Sequence, residues 1–131
     1  MHSEKKSIRT PIARVRGLGA AKSGTGHFWL QRLTAVSNIP LTLAMVVIVV
    51  MLAKLDYAGA RALVANPLVG ILLIAFLVSA LVHMRLGMQI IIEDYVHEEG
   101  MKIVLILLNT FFAVLMGLAS IYAILRIGFG G

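Results

Sequence analysis

The fold is decided by one uncharged stretch, residues 33–53, which reads LTAVSNIPLTLAMVVIVVMLA. At about 1.5 Å of rise per residue, a helix over this stretch spans about 30 Å, the thickness of the hydrocarbon core of a bilayer. Two further apolar runs follow, over residues 68–92 and 103–127. We therefore predict an all-α membrane protein with three transmembrane helices at about these positions.

The composition of the chain agrees with a lipid environment. Hydrophobic residues make up 60% of the 131 residues and charged residues 14%, whereas soluble domains contain about 45–50% and about 25%. A chain of this length has too little interior to bury that much apolar surface from water. The sequence has no cysteine, which excludes disulfides, iron–sulfur clusters and thiolate ligands and leaves histidine as the evident metal ligand.

The distribution of polar residues divides the chain into two parts. Residues 1–26 are predicted to form a basic, flexible N-terminal arm, because glycines are frequent in its second half. Residues 27–131 form the predicted membrane-anchor domain, which opens with Phe28 and Trp29 at the expected lipid interface. Within this domain residues 54–67 are predicted to form a short loop, and Pro40 is expected to kink the first span.

The formal charge of +6 comes from basic residues that are unevenly distributed along the chain. If the N-terminus is cytoplasmic, that side holds eight Lys and Arg, seven of them within the first 32 residues, and the opposite side holds three. Such an asymmetry sets membrane topology, so we predict a cytoplasmic N-terminus and no nucleic-acid partner. The arm lacks the apolar core of a secretory signal, and a bacterial inner membrane is favoured over a mitochondrial one.

Ionisable residues inside the second span mark a candidate site, because a charge in lipid is costly. His83 lies 11 residues before Asp94, about 16 Å along a helix, and therefore near the bilayer midplane. Helical periodicity places Gly87 on the face of His83 and Arg85 on nearly the opposite face, where Arg85 would pair with another chain or a cofactor. From the residues alone, His83 is a ligand, a proton relay or a packed polar group. Arg32 is an anion-binding group or a topological anchor.

The third span carries a stripe of small or polar residues that predicts close helix packing. Its members recur at spacings of four, four and three residues: Asn109, Ala113, Gly117 and Ser120. Ordinary residues compatible with lipid are the alternative interpretation of this stripe.

The stretch from His83 to Val96, HMRLGMQIIIEDYV, carries a family resemblance. It resembles the smaller hydrophobic membrane anchor, the D subunit, of succinate dehydrogenase. That family is marked by six positions at the end of the second of three spans, which here are His83, Gly87, Ile91, Asp94, Tyr95 and Val96. The start of the first span, from Arg32 to Ala35, is similar as well, and the resemblance covers about residues 28–127.

This resemblance implies a site for two groups. His83 matches the position that supplies one axial ligand to the iron of a haem b, and Arg32 matches, more loosely, a basic position near the haem propionates. Tyr95 matches a tyrosine that hydrogen-bonds a ubiquinone carbonyl, and Asp94 matches its acidic neighbour at the same site.

The resemblance also implies partners and a function. The partners are the C subunit, which is a second anchor of cytochrome b type and supplies the other haem ligand, and the iron–sulfur and flavoprotein subunits. Together with the C subunit, the chain would form a heteromeric helix bundle in the lipid membrane. The implied function is electron transfer from succinate to ubiquinone in respiratory complex II, with no independent activity of this chain.

Two other functions stay open from the sequence. A fumarate reductase anchor would serve the same chemistry in the opposite direction, with ubiquinone or menaquinone. A cofactor-free membrane assembly protein would use His83 only for packing. A transporter is disfavoured, because three spans without an internal repeat leave little room for alternating access.

Overall fold

The computed structural model describes residues 11–12 and 24–130. Residues 24–130 contain four helices, which we number α1 (Gly24–Leu52), α2 (Tyr57–Ala65), α3 (Pro67–Tyr95) and α4 (Glu99–Gly128). No strand occurs among the described residues. Three of the helices, α1, α3 and α4, are long and apolar enough to cross a membrane. The prediction of an all-α chain with three candidate transmembrane helices is therefore confirmed.

Each long helix extends beyond the apolar run that predicted it. Helix α1 begins at Gly24, inside the predicted arm, and continues through Pro40. The rest of the arm, apart from residues 11–12, lies outside the described residues. Helix α3 ends at Tyr95 and α4 begins at Glu99. The apolar run ends where polar residues begin at the lipid surface. The helix continues past this point, because helical hydrogen bonds satisfy the backbone of polar residues as well.

The prediction that residues 54–67 form a loop is wrong, because α2 occupies most of this segment. Asp56 caps α2 by accepting a hydrogen bond from the backbone nitrogen of Gly59 at 2.8 Å. Asn66 follows α2 and caps α3 by accepting from the backbone nitrogen of Leu68 at 3.0 Å. Pro67 takes the first position of α3, where no backbone N–H is needed. Capping side chains thus delimit a short helix that an apolar pattern does not reveal.

Helix α3 is the central element of the fold. It packs against α1 and against α4, whereas α1 and α4 make no contact with each other within the described residues. The predicted small-residue stripe forms the contact with α3. Ala113 is buried, and a Cβ on Gly117 would lie 3.3 Å from Cδ1 of Leu81 on α3. Asn109 donates from Nδ2 to the backbone oxygen of Arg85 at 2.9 Å.

This open layer of helices encloses few of its own side chains. The buried residues among those described are Ile48, Leu86, Ile92, Ala113 and Thr34. Large apolar side chains are exposed along all three long helices. Because lipid or another transmembrane helix is as apolar as these side chains, such exposure is stable in a membrane and not in water.

Candidate functional site

The centre of the candidate site is a contact between His83 of α3 and Thr34 of α1. His83 is half-buried, and its Nδ1 lies 3.2 Å from Oγ1 of Thr34. Thr34 itself is buried. Ser79, one turn before His83, donates from Oγ to the backbone oxygen of Thr34 at 3.4 Å. Nε2 of His83 has no hydrogen-bond partner in the described part of the chain.

Gly87 lies one turn after His83 and faces the same neighbouring helix. A Cβ at this position would lie 3.4 Å from Nε2 of Gln31 on α1, so the missing side chain lets Gln31 approach α3. The space left by the missing side chain of Gly87 is thus taken by a helix of the same chain. Oε1 of Gln31 is buried without a partner among the described residues, and so is Oδ1 of Asn38. Helical spacing places Gln31, Thr34 and Asn38 on one face of α1.

A cleft of about 260 Å³ opens between the beginning of α1 and the end of α3. Its lining residues come from both helices: His27, Phe28, Gln31, Arg32, Leu86, Gln89, Ile90 and Glu93. The guanidinium of Arg32 lies 5.1 Å from the centre of the Phe28 ring, which is a cation–π distance. Glu93 accepts a hydrogen bond from Nε2 of Gln89 at 2.8 Å. Arg32 is exposed and therefore accessible to an anionic group.

Asp94 and Tyr95 are the last two residues of α3. Both are exposed, and neither makes a hydrogen bond through its side chain to another described residue. The structure does not bring them to His83, because 11 and 12 residues of helix separate them from it, about 16 to 18 Å. The predicted site residues therefore form two groups, one inside the helix layer and one at its end.

The sequence matches, over residues 6–117, the family described as succinate dehydrogenase/fumarate reductase transmembrane subunit. The chain belongs to this family. A succinate dehydrogenase hydrophobic membrane anchor subunit from Paracoccus denitrificans is 29% identical over 92% of this chain and 93% of its own length. One of the same name from Rickettsia bellii is 30% identical over 89% of this chain and 94% of its own length.

A third relative, a succinate dehydrogenase membrane anchor subunit from Reclinomonas americana, is 36% identical over 66% of this chain and 75% of its own length. These likenesses confirm the family that the stretch from His83 to Val96 indicated. Together with the three long apolar helices, they make this member of the family a multi-pass membrane protein.

In this family member Arg85 has a partner that the sequence analysis missed. Its Nε donates to Oγ1 of Thr110 on α4 at 3.2 Å, so one guanidinium donor is satisfied within the chain. The predicted separation of the two faces of α3 is confirmed, since His83 faces α1 and Arg85 faces α4. The adjacent polar residues Asn109 and Thr110 in an otherwise apolar span are the signal that would have indicated this contact.

The described residues contain no group of three or more His, Asp or Glu side chains that could hold a metal ion. An axial position on a haem iron needs only one histidine, so the ring nitrogens of His83 decide whether it fits. One nitrogen is engaged by Thr34 and the other is without a partner among the described residues. The residues present therefore fit a single histidine ligand, since such a ligand binds through one nitrogen while a neighbouring group holds the other.

Proposed function

We propose that this chain is the hydrophobic membrane anchor of a succinate:ubiquinone oxidoreductase, respiratory complex II. In this complex it would hold the soluble subunits at the membrane, bind haem b jointly with a second anchor and form part of the quinone site. The arrangement of His83 carries the proposal, because a half-buried histidine with one engaged and one unpartnered nitrogen suits an axial ligand. The relatives named as succinate dehydrogenase anchors support the anchoring role.

The haem would be held by His83 on one side and by the partner anchor on the other. Nε2 of His83 would bind the iron, because Nδ1 is directed at Thr34. Arg32 would place its guanidinium near a propionate, since the cleft that it lines also contains Leu86, within one turn of His83. When bound, the haem supplies one-electron redox chemistry, and the protein sets its position and surroundings.

The open layer of helices supports a heteromeric bundle. Helices α1 and α4 pack on the central α3 and on the short α2, but within the described residues they do not pack on each other. Their outer faces expose large apolar side chains. A second anchor with its own transmembrane helices would cover part of these faces and bring the second haem ligand to the side of Nε2. Packing of this kind is the ordinary way in which transmembrane helices associate.

Tyr95 and Asp94 would form this chain's part of the quinone site. Reduction of a quinone to a quinol takes up two electrons and two protons. The phenol of Tyr95 can donate a hydrogen bond to a quinone carbonyl as negative charge develops on that oxygen. The adjacent carboxylate of Asp94 can pass protons to the same place. Because both side chains are exposed, the partner subunits would supply the rest of the pocket.

The proposed orientation places this quinone site on the cytoplasmic side of a bacterial inner membrane. The beginning of α1 and the end of α3 line one cleft, so they lie at the same end of the helix layer. Lys102, at the beginning of α4, lies at that end as well. In the sequence, eight Lys and Arg precede the first span or follow the second, against three that follow the first or end the third, and this asymmetry favours a cytoplasmic location.

Purification of the assembled complex from native membranes tests the proposal. We expect the flavoprotein, the iron–sulfur subunit and a second anchor to co-purify, with a b-type haem in the reduced-minus-oxidised spectrum. Loss of the soluble subunits from an intact preparation would contradict the anchor role. A colourless complex would contradict the haem and leave a cofactor-free anchor.

A fumarate reductase anchor is the second candidate, because the family description names both enzymes. The names of the relatives favour succinate dehydrogenase. Extraction of the quinone from the purified complex tests the choice, since we expect ubiquinone. Menaquinone, together with faster fumarate reduction than succinate oxidation, would favour the second candidate.

A further inference from the structure

Among the described residues, the polar residue that is buried is Thr34, with 7% of its surface exposed. Its hydroxyl lies near three partners: the backbone oxygen of Leu30 at 2.9 Å, the backbone oxygen of Gln31 at 3.1 Å and Nδ1 of His83 at 3.2 Å. A hydroxyl has one proton to donate and two lone pairs that accept. Because the hydroxyl has a single proton, the position of this proton decides which group donates in each contact.

The two backbone oxygens can only accept hydrogen bonds. If the hydroxyl of Thr34 donated to His83, its oxygen would face the oxygen of Leu30 at 2.9 Å with no proton between them. If it donates into its own helix instead, as a helical threonine commonly does with the carbonyl four residues earlier, its one proton is shared between the oxygens of Leu30 and Gln31. Its lone pairs then accept from His83. Nδ1 of His83 must then carry a proton and donate it to Thr34.

We propose that Thr34 is a positioning residue that holds His83 in the tautomer with the proton on Nδ1. A neutral imidazole in this tautomer has its lone pair on Nε2. Because the two nitrogens lie on opposite edges of the ring, the hydrogen bond to Thr34 turns Nε2 away from α1. This inference rests on the proposed function, in which Nε2 binds the haem iron.

The hydrogen bond also affects the chemistry of the ligand. An acceptor on the remote N–H of a metal-bound imidazole fixes the ring and makes the ligating nitrogen more basic. A more basic ligand favours the ferric over the ferrous state, because the ferric ion carries the higher charge. Thr34 therefore lowers the midpoint potential of the haem and strengthens its retention.

The test replaces Thr34 in the assembled complex and follows the haem itself. Thr34→Val keeps the branched shape and removes the acceptor. Loss of such a partner typically weakens metal binding or activity by about tenfold or more. We expect a loss of about tenfold confined to the ferric state, which raises the midpoint potential by about 59 mV. Redox titration of the b-type absorbance measures the potential, and electron paramagnetic resonance of the ferric haem shows any change in ligand field.

Two further variants separate this role from packing. Thr34→Ser keeps the hydroxyl and should retain the wild-type potential. Ser37→Ala removes a hydroxyl that donates to the carbonyl of Leu33 at 2.9 Å in the same manner. Because His83 is hydrogen-bonded to Thr34 and not to Ser37, this change should also leave the potential unchanged. If the valine variant does not assemble, Thr34→Ala against Thr34→Ser gives the same comparison.

The outcomes distinguish this inference from the function on which it rests. A wild-type potential and spectrum in Thr34→Val, with haem still bound through His83, would overturn the role of Thr34 alone. A complex without haem, or one whose spectrum is unchanged in His83→Leu, would overturn the ligand role of His83 and the role of Thr34 with it. A shift of the same size in Ser37→Ala would also overturn the inference, because it would show that removal of any such hydroxyl from α1 changes the midpoint potential.

Discussion

Replacement of Tyr95 by phenylalanine is the sharpest test of the quinone site. Tyr95 is 78% exposed at the end of α3, and its hydroxyl has no hydrogen-bond partner among the described residues. Removing this hydroxyl therefore leaves every observed contact intact. We expect the stability of the chain to change by no more than about 0.5 kcal/mol, as for other surface substitutions. Any large effect must then arise from the reaction.

The expected loss follows from the position of the hydroxyl. A single donor aimed at an oxygen on which charge develops contributes up to about a thousandfold in rate where water is excluded. At the edge of the membrane, water can also hydrogen-bond this oxygen, so that part of the stabilisation remains when the phenol hydroxyl is removed. We therefore expect quinone reduction to fall by roughly tenfold to a thousandfold, which is about 1.4 to 4 kcal/mol of transition-state stabilisation.

The assay compares two electron acceptors in the same preparation. Succinate oxidation coupled to a short-chain ubiquinone reports on the membrane site, whereas a soluble dye takes electrons upstream of it. We expect Tyr95→Phe to lose the quinone-coupled rate and to keep the dye-coupled rate. Tyr57→Phe is a matched control, because Tyr57 is 80% exposed at the beginning of α2, at the other end of the helix layer. Equal quinone-coupled rates in wild type and Tyr95→Phe would refute the reasoning.

Three further predictions concern the same site and its orientation. Asp94→Asn should reduce the quinone-coupled rate more at high pH, where bulk protons are scarce, and a loss independent of pH would contradict proton delivery by Asp94. His83→Leu should change the b-type spectrum while the chain still inserts, and an unchanged spectrum and midpoint potential would exclude His83 as a ligand. A reporter fused after Gly131 should be periplasmic and one fused before Met1 cytoplasmic; the reverse would also move the quinone site to the other side.

The membrane class and the three spans could be predicted from the sequence because they depend on local composition. Transfer into lipid is favourable for any run of about 20 apolar residues, whatever its neighbours are. The spacing of His83 and Arg85 likewise predicted opposite faces of one helix, since helical geometry is the same in every context. The small-residue stripe that contains Ala113 and Gly117 predicted a packing face for the same reason.

Other contacts could not be predicted from the sequence, because they depend on which helices lie side by side. The sequence did not indicate that Gln31 fills the space beside Gly87 or that Thr110 receives a hydrogen bond from Arg85. In a span that is apolar on all sides, hydropathy carries no information on which face meets another helix. The short helix α2 was missed for a related reason, since the capping of its start by Asp56 depends on the local backbone and not on burial.

The candidate site shows most clearly which features follow from the sequence and which follow only from the tertiary structure. The sequence by itself determined that a histidine lies deep in the second span and that a tyrosine and a carboxylate end it. Only the tertiary structure determined that Thr34 of another helix meets Nδ1 of His83 and leaves Nε2 available. The physical reason is that depth in the membrane follows from position along one helix, whereas the tautomer of a histidine follows from the donors and acceptors that a neighbouring helix brings to it.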